Sequence, residues 1–574
     1  MNRLPSTKGI LKNGSSHLNT HVPLTRRYAT ALSNRNVNQE KITDVAVLGG
    51  GITGLATAFF LTRSLPAAKI TLFEASPRLG GWLHSKQVDV GNGKVVFEQG
   101  PRNLRPSVPN GLITLDLVRD LELEDRLLMT SKDSSAAQNR FIYYPDHLVR
   151  MPGSGSTILR TVANLWSEPI FSGIISAALT EVTIPRRPDE MRDESIGSFL
   201  SRRFGSALTD NLASAVFHGI YAGDIYNLSA RSILSGPWQV ESRHDSILKG
   251  LLASTQMKSQ PMLTEDLEIA KQYQKQPNVS REVRAARKAS VFTFKGGIGD
   301  LADGLEKKLL KSPNVNIKKS VAVTGMHISS AAPKINVETY AAGQWRKTTD
   351  FSHVVSTVAG NKLAEIARDK STRDLMPILR QTGSVTVMVV NLFFSNSNIL
   401  PINGFGYLLP RSIPFEQNPE RALGVIFDSD ACLGQDSASG TKITVMLGGH
   451  WWDDFTTFPD EEEGASMAKA ILKRHLGISE EPRAVRVSIQ SNCIPQYRVG
   501  HDDRMAAASQ ILEGWKGKLR VAGNSYTGVG LNDCIRAARD VVKGLVDGTK
   551  NTGLETFLGG RKWSWVDPNE YRIN

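Results

Sequence analysis

Asp44-Val45-Ala46-Val47-Leu48-Gly49-Gly50-Gly51-Ile52-Thr53-Gly54 is a short apolar run entering a glycine cluster, and its reading decides the fold. The run predicts a strand over Asp44–Gly49, and Leu55–Leu65 behind the glycines predicts a helix. Lys69–Glu74 (KITLFE) predicts a second strand, so the three pieces together form a βαβ unit. The glycines sit where such a unit holds a dinucleotide. Gly49 permits the tight turn, Gly51 lets the backbone approach a pyrophosphate, and Gly54 lets the helix pack close to the strand. The anion would meet the positive end of the helix. Glu74 follows Gly54 by 20 residues, the place of a carboxylate that accepts hydrogen bonds from an adenosine ribose. A lone GxGxxG also occurs as a structural turn; strand, helix and acid together favour the nucleotide.

Two further glycine segments bear on which nucleotide. Arg78-Leu79-Gly80-Gly81-Trp82 follows the second strand, and Glu98-Gln99-Gly100-Pro101-Arg102 follows the next one. Near the other end, Val521-Ala522-Gly523-Asn524-Ser525-Tyr526-Thr527-Gly528-Val529-Gly530-Leu531 runs from a strand at Leu519–Gly523 into a helix at Asn532–Val546. That turn is a second amide nest at a helix N-terminus. A coenzyme gripped by both ends of the chain points to a bound flavin rather than a diffusible nicotinamide.

At 574 residues the chain needs two or three packed subdomains. Its composition, 40% hydrophobic and 22% charged, is that of a globular protein. Cys432, Cys493 and Cys534 are widely spaced and fit neither a disulfide framework nor a zinc site. The histidines show no ligand spacing, so no metal is expected. The net charge of +13 does not imply nucleic acid, because Arg3, Lys8, Lys12, Arg26, Arg27 and Arg35 lie in a leader without an acid before Glu40. That composition is that of an organellar transit peptide, or of a basic N-terminus with no address. The longest apolar run, Pro169–Thr180 (PIFSGIISAALT), is closed by Glu181 and is too short to span a membrane, which takes about 20 residues. It suits a core, the safer reading, or a shallow contact in a membrane interface. Residues 270–290 read as a solvated basic helix or loop, Asp460–Glu463 as an acidic loop, and strand-like runs recur at 319–324, 334–340, 353–358, 384–394, 423–427 and 441–447.

RLGGW at 78–82 resembles the RxGG segment of the FAD-containing amine-oxidase superfamily, where an arginine can neutralise the cofactor's phosphates. Within it the chain resembles the protoporphyrinogen oxidase family. The matching stretches are GGGITGLA at 49–56, RLGGW at 78–82, FEQGPRNLRP at 97–106, AAQNRFIY at 136–143 and GIYAGD at 219–224. They continue with FKGGIGDL at 294–301, GFGYLLP at 404–410, TVMLGG from Thr444, NCIPQY at 492–497 and AGNSYTGVGLNDC at 522–534. The segments run in family order from about residue 42 to 550. The NRF, GFG, IPQY and NDC pieces are the diagnostic ones.

The resemblance implies a mixed α/β and α+β architecture: a Rossmann-like FAD-binding domain, an inserted sheet-rich substrate domain and a helical membrane-associating domain. The expected division is a leader over 1–40, the FAD domain over 41–108, and a mainly helical membrane-associating or substrate-entry part over 109–240. The chain then returns to the FAD domain over 241–360, forms the substrate domain over 361–500, and closes the FAD domain over 501–550 before an extension at 551–574 with no assigned role. The implied activity is oxygen-dependent, six-electron oxidation of protoporphyrinogen IX to protoporphyrin IX in heme biosynthesis, with hydrogen peroxide as co-product. One non-covalent FAD per chain is implied at Gly49, Gly50, Gly51, Ile52, Thr53, Gly54, Glu74, Ala75, Trp82, Gly100, Pro101, Arg102, Asn103, Val323, Asn524, Val529, Gly530 and Leu531. Arg140 matches the position that meets a substrate propionate, for which a planar guanidinium suits, and Leu408, Ile426 and Met446 match positions that sandwich the macrocycle. From the residues alone Arg140 could equally be a surface ion pair, and the other three core packing. No acid or base is assigned to catalysis, since orientation supplies more of it than a strong base. Implied partners are the porphyrinogen, molecular oxygen and a mitochondrial inner-membrane surface contacted peripherally, with a homodimer and a ferrochelatase as options. No nucleic acid is expected.

Asn103 departs from the glycine usual after GPR, and His84 from a basic residue after GGW. The rival readings are an amine oxidase or desaturase of the same fold, or a non-catalytic binding protein like the Rab-GDP-dissociation inhibitors. Asn524 stands where amine oxidases place a glutamate, which disfavours the first. The intact Glu74, RxGG and terminal turn disfavour the last.

Overall fold

The computed structural model describes residues 42–106, 109–153, 166–274, 279–328, 334–367, 374–549, 551–567 and 569. The leader lies outside the described residues. A five-stranded parallel sheet runs in the order Val315–Lys318, Lys69–Phe73, Asp44–Leu48, His353–Ser356, Leu519–Val521. Its central strand is apolar throughout Val45–Leu48, all fully buried, as a strand covered on both faces must be. The helices Ile52–Ser64 and Leu531–Asp547 pack together on one face, so the first and last pieces of the chain meet in one core. The other face buries Ala46, Leu48, Val354 and Val521 against Met505 and Leu512 of helix His501–Glu513 and against Trp515 just past its end. A three-stranded antiparallel sheet, Val321–Ile328, Ile335–Ala341 and Lys347–Phe351, joins the third and fourth of these strands in chain order.

The second large sheet has seven strands, ordered Ala484–Pro495, Ser384–Phe394, Thr441–Gly448, Ala422–Ile426, Gly406–Leu408, Phe141–Tyr143, Leu148–Arg150. One face presents Met388, Val390, Leu392, Tyr407, Val425 and Val445 to Ala468, Ile471 and Leu472 of helix Glu461–Leu476. The acidic residues read as a loop are this helix's start: Asp460 is its N-cap within a capping box, and Glu461–Glu463 fill the first turn, where negative charge is favourable. Residues 141–150 correct the expected division, because they form two edge strands of this sheet rather than part of a helical segment. Each strand is three residues long, too short for its periodicity to announce it.

Helices Ile196–Phe204, Ser214–Tyr221, Ser235–His244 and Ile247–Gln256 form most of the helical part. They close on a buried ion pair between Arg203 and Glu181, both fully inaccessible. The Arg203 guanidinium also donates to the carbonyls of Ile184 and Pro185, and Glu181 accepts the Ile247 N–H at the next helix's first turn. Paired and hydrogen-bonded in this way, a charge tolerates burial. The apolar run at 169–180 divides in two. Ile170 and Phe171 are buried, whereas Ile175 and Leu179, one turn apart on helix Ile174–Glu181, are 50% and 69% exposed. The basic stretch at 270–290 is less solvated than its composition predicts: helices Thr264–Gln274 and Arg281–Lys288 bury Leu267, Ile269, Tyr273, Val283 and Ala286. Trp563–Val566 pairs antiparallel with Gln260–Leu263, so the C-terminal extension is part of the body.

Candidate functional site

Strand Asp44–Leu48 delivers Gly49 at φ +100°, a conformation that favours glycine, directly at the N-terminus of helix Ile52–Ser64. A Cβ at Gly54 would run into the carbonyl oxygen of Gly49, so this glycine holds helix against strand as the spacing predicts. Gly51 differs. A Cβ there would meet nothing nearer than the Gly81 Cα at 3.9 Å, which leaves a slot at a helix start that has no side-chain cap. The RLGG segment borders this slot, with Gly80 N–H donating to Gly50 O at 2.9 Å.

Glu74 accepts from the Gly50 N–H at 2.7 Å through one oxygen and from the Ser76 N–H at 2.8 Å through the other. Its carboxylate thus organises the glycine loop itself. Ala75 is exposed beside it, and Val321 N–H donates to the Glu74 carbonyl, which brings Val323 of the same strand to this end of the sheet. Arg78 is engaged within its own turn. Its guanidinium donates to the carbonyls of Leu79, Gly81 and Leu83 and staples the RLGG turn. Trp82 is 37% exposed, and Gly100 lies so close under it that a Cβ would strike the Trp82 carbonyl.

The terminal turn comes up beside the first helix. A Cβ at Gly523, at φ +131°, would lie 3.6 Å from the Thr357 carbonyl oxygen and 3.7 Å from the Thr53 Oγ1. Asn524 is held through its carbonyl, which accepts from the Tyr497 hydroxyl at 2.5 Å. Val529 and Gly530 are half-buried, and Gly530 caps helix Leu531–Asp547 with its N–H donating to Asp533 at 3.1 Å. Burial pushes the Asp533 carboxyl above its ordinary value. The segments from both ends therefore meet around one slot.

The GPRN segment links this slot to the seven-stranded sheet. Pro101 is exposed, while Arg102 is buried and pairs with Asp428 at 2.8 Å. The second Asp428 oxygen lies 2.5 Å from the Thr444 hydroxyl, which is 2.9 Å from Asn391. Among the described residues, Arg102 Nη2 and Asn103 Nδ2 are buried without a hydrogen-bond partner, an arrangement that native proteins avoid unless a ligand or water completes it. Glu98, just upstream, accepts from Ser85 at 2.6 Å and Ile298 N–H at 2.7 Å, and burial raises its pKa to about 7. Asp428, Thr444, Tyr497 and Glu98 are absent from the sequence-based set of site residues. Tyr497 and Glu98 lie inside the quoted IPQY and FEQGPR segments, where a motif scan could have found them; Asp428 carries no local signal.

On the sheet, Leu408, Gly424, Met446 and Val389 form one row in register, with Ile426 in the adjoining row opposite Gly406 and Thr444. Leu408, Ile426 and Met446 are all half-buried and lie on the face opposite the Tyr407–Val445 core. The Leu408 side chain leans over Gly424, where a Cβ would meet its Cδ2 at 3.0 Å, and it backs onto Gly219 of helix Ser214–Tyr221. Arg140 is exposed at the start of strand Phe141–Tyr143, whose neighbour is the Leu408 strand. Partial burial of its guanidinium and the nearby Arg105 charge lower its pKa, and among the described residues no carboxylate pairs with it. Also among the described residues, no cluster of three His, Cys, Asp or Glu could hold a metal.

The sequence pattern of the flavin containing amine oxidoreductases matches residues 52–545. The chain belongs to that family. Family membership makes it a flavoprotein. Among its relatives, the protoporphyrinogen oxidase of Schizosaccharomyces pombe is 35% identical over 87% of this chain and 98% of its own, and that of Homo sapiens is 32% identical over 88% and 99%. The chain therefore sits with the protoporphyrinogen oxidases of the amine oxidoreductase family. In fold it resembles cyclohexylamine oxidase of Brevibacterium oxydans, at TM-score 0.59 and 13% identity over 88% of this chain and 99% of that one. The doubly covered parallel sheet with an inserted, mainly antiparallel sheet is thus this family's architecture.

Proposed function

We propose that the chain oxidises protoporphyrinogen IX to protoporphyrin IX, passing six hydrogens to three molecules of oxygen as three of hydrogen peroxide. The observation that carries this reading is the juxtaposition of a two-ended glycine slot with a half-buried apolar sheet row bordered by an unpaired arginine. FAD is the cofactor that fits. The open space at Gly51 suits a pyrophosphate, and the donors of Arg102 and Asn103 suit an acceptor-rich ring edge. When bound, FAD supplies the two-electron acceptor that oxygen regenerates.

The chain's own contribution is placement. Leu408, Ile426 and Met446 take an apolar macrocycle between them and exclude water from it. Arg140 holds a propionate through charge-assisted hydrogen bonds, which fixes the ring's rotation in that plane. Orientation of this kind carries catalysis without a strong base. In this reading the substrate domain is 361–500 joined by the strands at 141–150, and the FAD domain is built from 41–108, parts of 241–360 and 501–550.

We also place the protein peripherally on the mitochondrial inner membrane. Trp166, Ile175, Leu179, Leu251 and Leu252 are 78%, 50%, 69%, 54% and 63% exposed, and the helices Ile174–Glu181 and Ile247–Gln256 that carry four of them touch. An exposed apolar surface of this kind suits shallow insertion. Among the described residues no helix is long and apolar enough to cross a membrane.

Anaerobic mixing with protoporphyrinogen IX tests the activity. The flavin bands should bleach, then recover as fluorescent porphyrin appears on admitting oxygen. A colourless protein, or a flavin that the porphyrinogen leaves oxidised, would overturn the reading.

A further inference from the structure

We propose that the C-terminal extension, from Asn551 to Val566, is a brace that positions the flavin-facing turn at 522–531, with Thr552 and Phe557 as its positioning residues. This rests on the reading of that turn as part of the flavin site. The extension reaches the turn by two routes.

The first is through the strand that leads into it. Val521 N–H donates to the Thr552 carbonyl at 2.9 Å, which adds a backbone partner to the last strand of the parallel sheet. Gly553, at φ +87°, packs so closely that a Cβ would strike the Val521 carbonyl. Thr552 is fully buried, and its hydroxyl pairs with Ser509 of helix His501–Glu513 at 2.8 Å. The loop is itself fixed, because Glu555 accepts from the N–H groups of Asn551, Thr552 and Gly553. Its carboxylate thus plays the part of a small nest's anion.

The second route is a stack of rings. Phe557, 4% exposed, meets the edge of the His501 ring at 6.1 Å between centroids, and His501 stacks on Tyr497 at 3.9 Å. The Tyr497 hydroxyl donates to the Asn524 carbonyl, and His501 Nε2 bonds the Tyr526 carbonyl at 2.9 Å. Two carbonyls of the turn are therefore held by rings that Phe557 backs. Beyond this point Arg561 pairs with Asp502 at 3.2 Å and Trp565 lies under Arg243 at 4.3 Å, which anchors the far end of the brace on the helical part.

The hydrogen bonds by which both routes reach the turn end on backbone, at the Val521 N–H and the Asn524 and Tyr526 carbonyls. The brace therefore acts on where the amide groups point rather than on chemistry. Amide dipoles are effective only while they are held in advance of the charge they stabilise. Loosening them should weaken the hold on flavin and alter its spectrum without touching the substrate face.

The test compares Phe557→Ala, Tyr497→Phe and Trp565→Ala in the full-length holoenzyme. Flavin is stripped and FAD titrated back, with flavin fluorescence quenching and the visible bands as readouts. Phe557→Ala and Tyr497→Phe should weaken FAD binding by about tenfold, a usual size of coupling between sites, and shift the visible bands. Trp565→Ala, which loses packing only at the distal anchor, should lower Tm and leave FAD affinity and spectrum as in wild type. Equal losses of affinity in all three variants would reduce the effect to general destabilisation and overturn the proposal. So would unchanged FAD affinity in Phe557→Ala and Tyr497→Phe. A wild-type protein that binds no FAD would instead overturn the flavin reading itself.

Discussion

Arg102 and Asp428 stand 326 positions apart and form an ion pair at 2.8 Å with side chains 7% and 4% exposed. This pair pins the GPRN segment of the nucleotide domain to the seven-stranded sheet. Its removal from one side leaves an uncompensated buried charge. Asp428→Ala should therefore destabilise the protein by about 3–5 kcal/mol, the usual consequence of breaking rather than replacing such a pair. Urea unfolding of purified holoprotein measures it, and a change under 1 kcal/mol would show that Arg102 finds another partner.

Gly51 and Gly54 belong to one motif yet should fail differently. A Cβ at Gly54 collides with the backbone of Gly49, whereas one at Gly51 stands 3.9 Å from its nearest neighbour in the protein. Gly51→Ala should fold with near wild-type secondary structure and stability as apoprotein but bind FAD poorly, because the methyl occupies the space assigned to the pyrophosphate. Gly54→Ala should lose soluble folded protein. Circular dichroism and the ratio of visible to ultraviolet absorbance separate the two, and full flavin in Gly51→Ala would move the pyrophosphate elsewhere.

The difference between what sequence and structure reveal follows the range of the interaction. The unit from Asp44 to Phe73 is legible because strand, turn, helix and acid lie within 30 or so residues and each has its own spacing rule. The strand at 384–394 is read to the residue because eleven residues, β-branched or apolar almost throughout and buried from Val385 on, leave little choice. By contrast the strands at 141–143 and 148–150 exist only because the edge of a sheet awaits them. Arg78 reads from its motif as a residue that can neutralise phosphates, and the bonds it makes to three carbonyls of its own turn carry no local signal. Asp428 is one carboxylate among many until the fold brings it to Arg102, and the extension's Trp563 and Trp565 acquire a function only when their strand finds 260–263.

Arg140 has no acid partner among the described residues, so its charge is available to a ligand. Arg140→Ala should raise KM for protoporphyrinogen by about 10–100-fold, the loss of a hydrogen bond to a charged group, while flavin content stays normal. Arg140→Lys should recover part of this, since it keeps the charge but not the planar fork. Steady-state kinetics with flavin counted by absorbance distinguishes the roles. Loss of flavin in Arg140→Ala would place the residue in the cofactor site instead.

His218 and His450 offer a test in pH. His218 Nδ1 lies 2.7 Å from the Leu409 carbonyl, which can only accept, so that nitrogen carries the proton and its Nε2 is left as an acceptor. His450 Nε2 therefore donates to it across 2.8 Å, and both rings are neutral. Burial, then the neighbouring His450, pushes His218 down to about 3; burial, then Arg411 and Arg421, pushes His450 down to about 4. Below about 6.5 the unfolded chain takes up these protons and the folded one refuses them, so the unfolded state binds more protons and stability falls on acidification until both states are protonated. Glu98, raised to about 7, works in the opposite sense between about 4.5 and 7, and one carboxyl offsets one histidine. Replacing a titrating ring isolates its share. His450→Gln should remove about 2 kcal/mol of the wild-type stability loss between pH 7 and pH 5, so that the two unfolding curves converge as the solution is acidified. Parallel curves across that interval would mean that His450 is charged in the folded protein, and the tautomer assignment at Leu409 would fall with it.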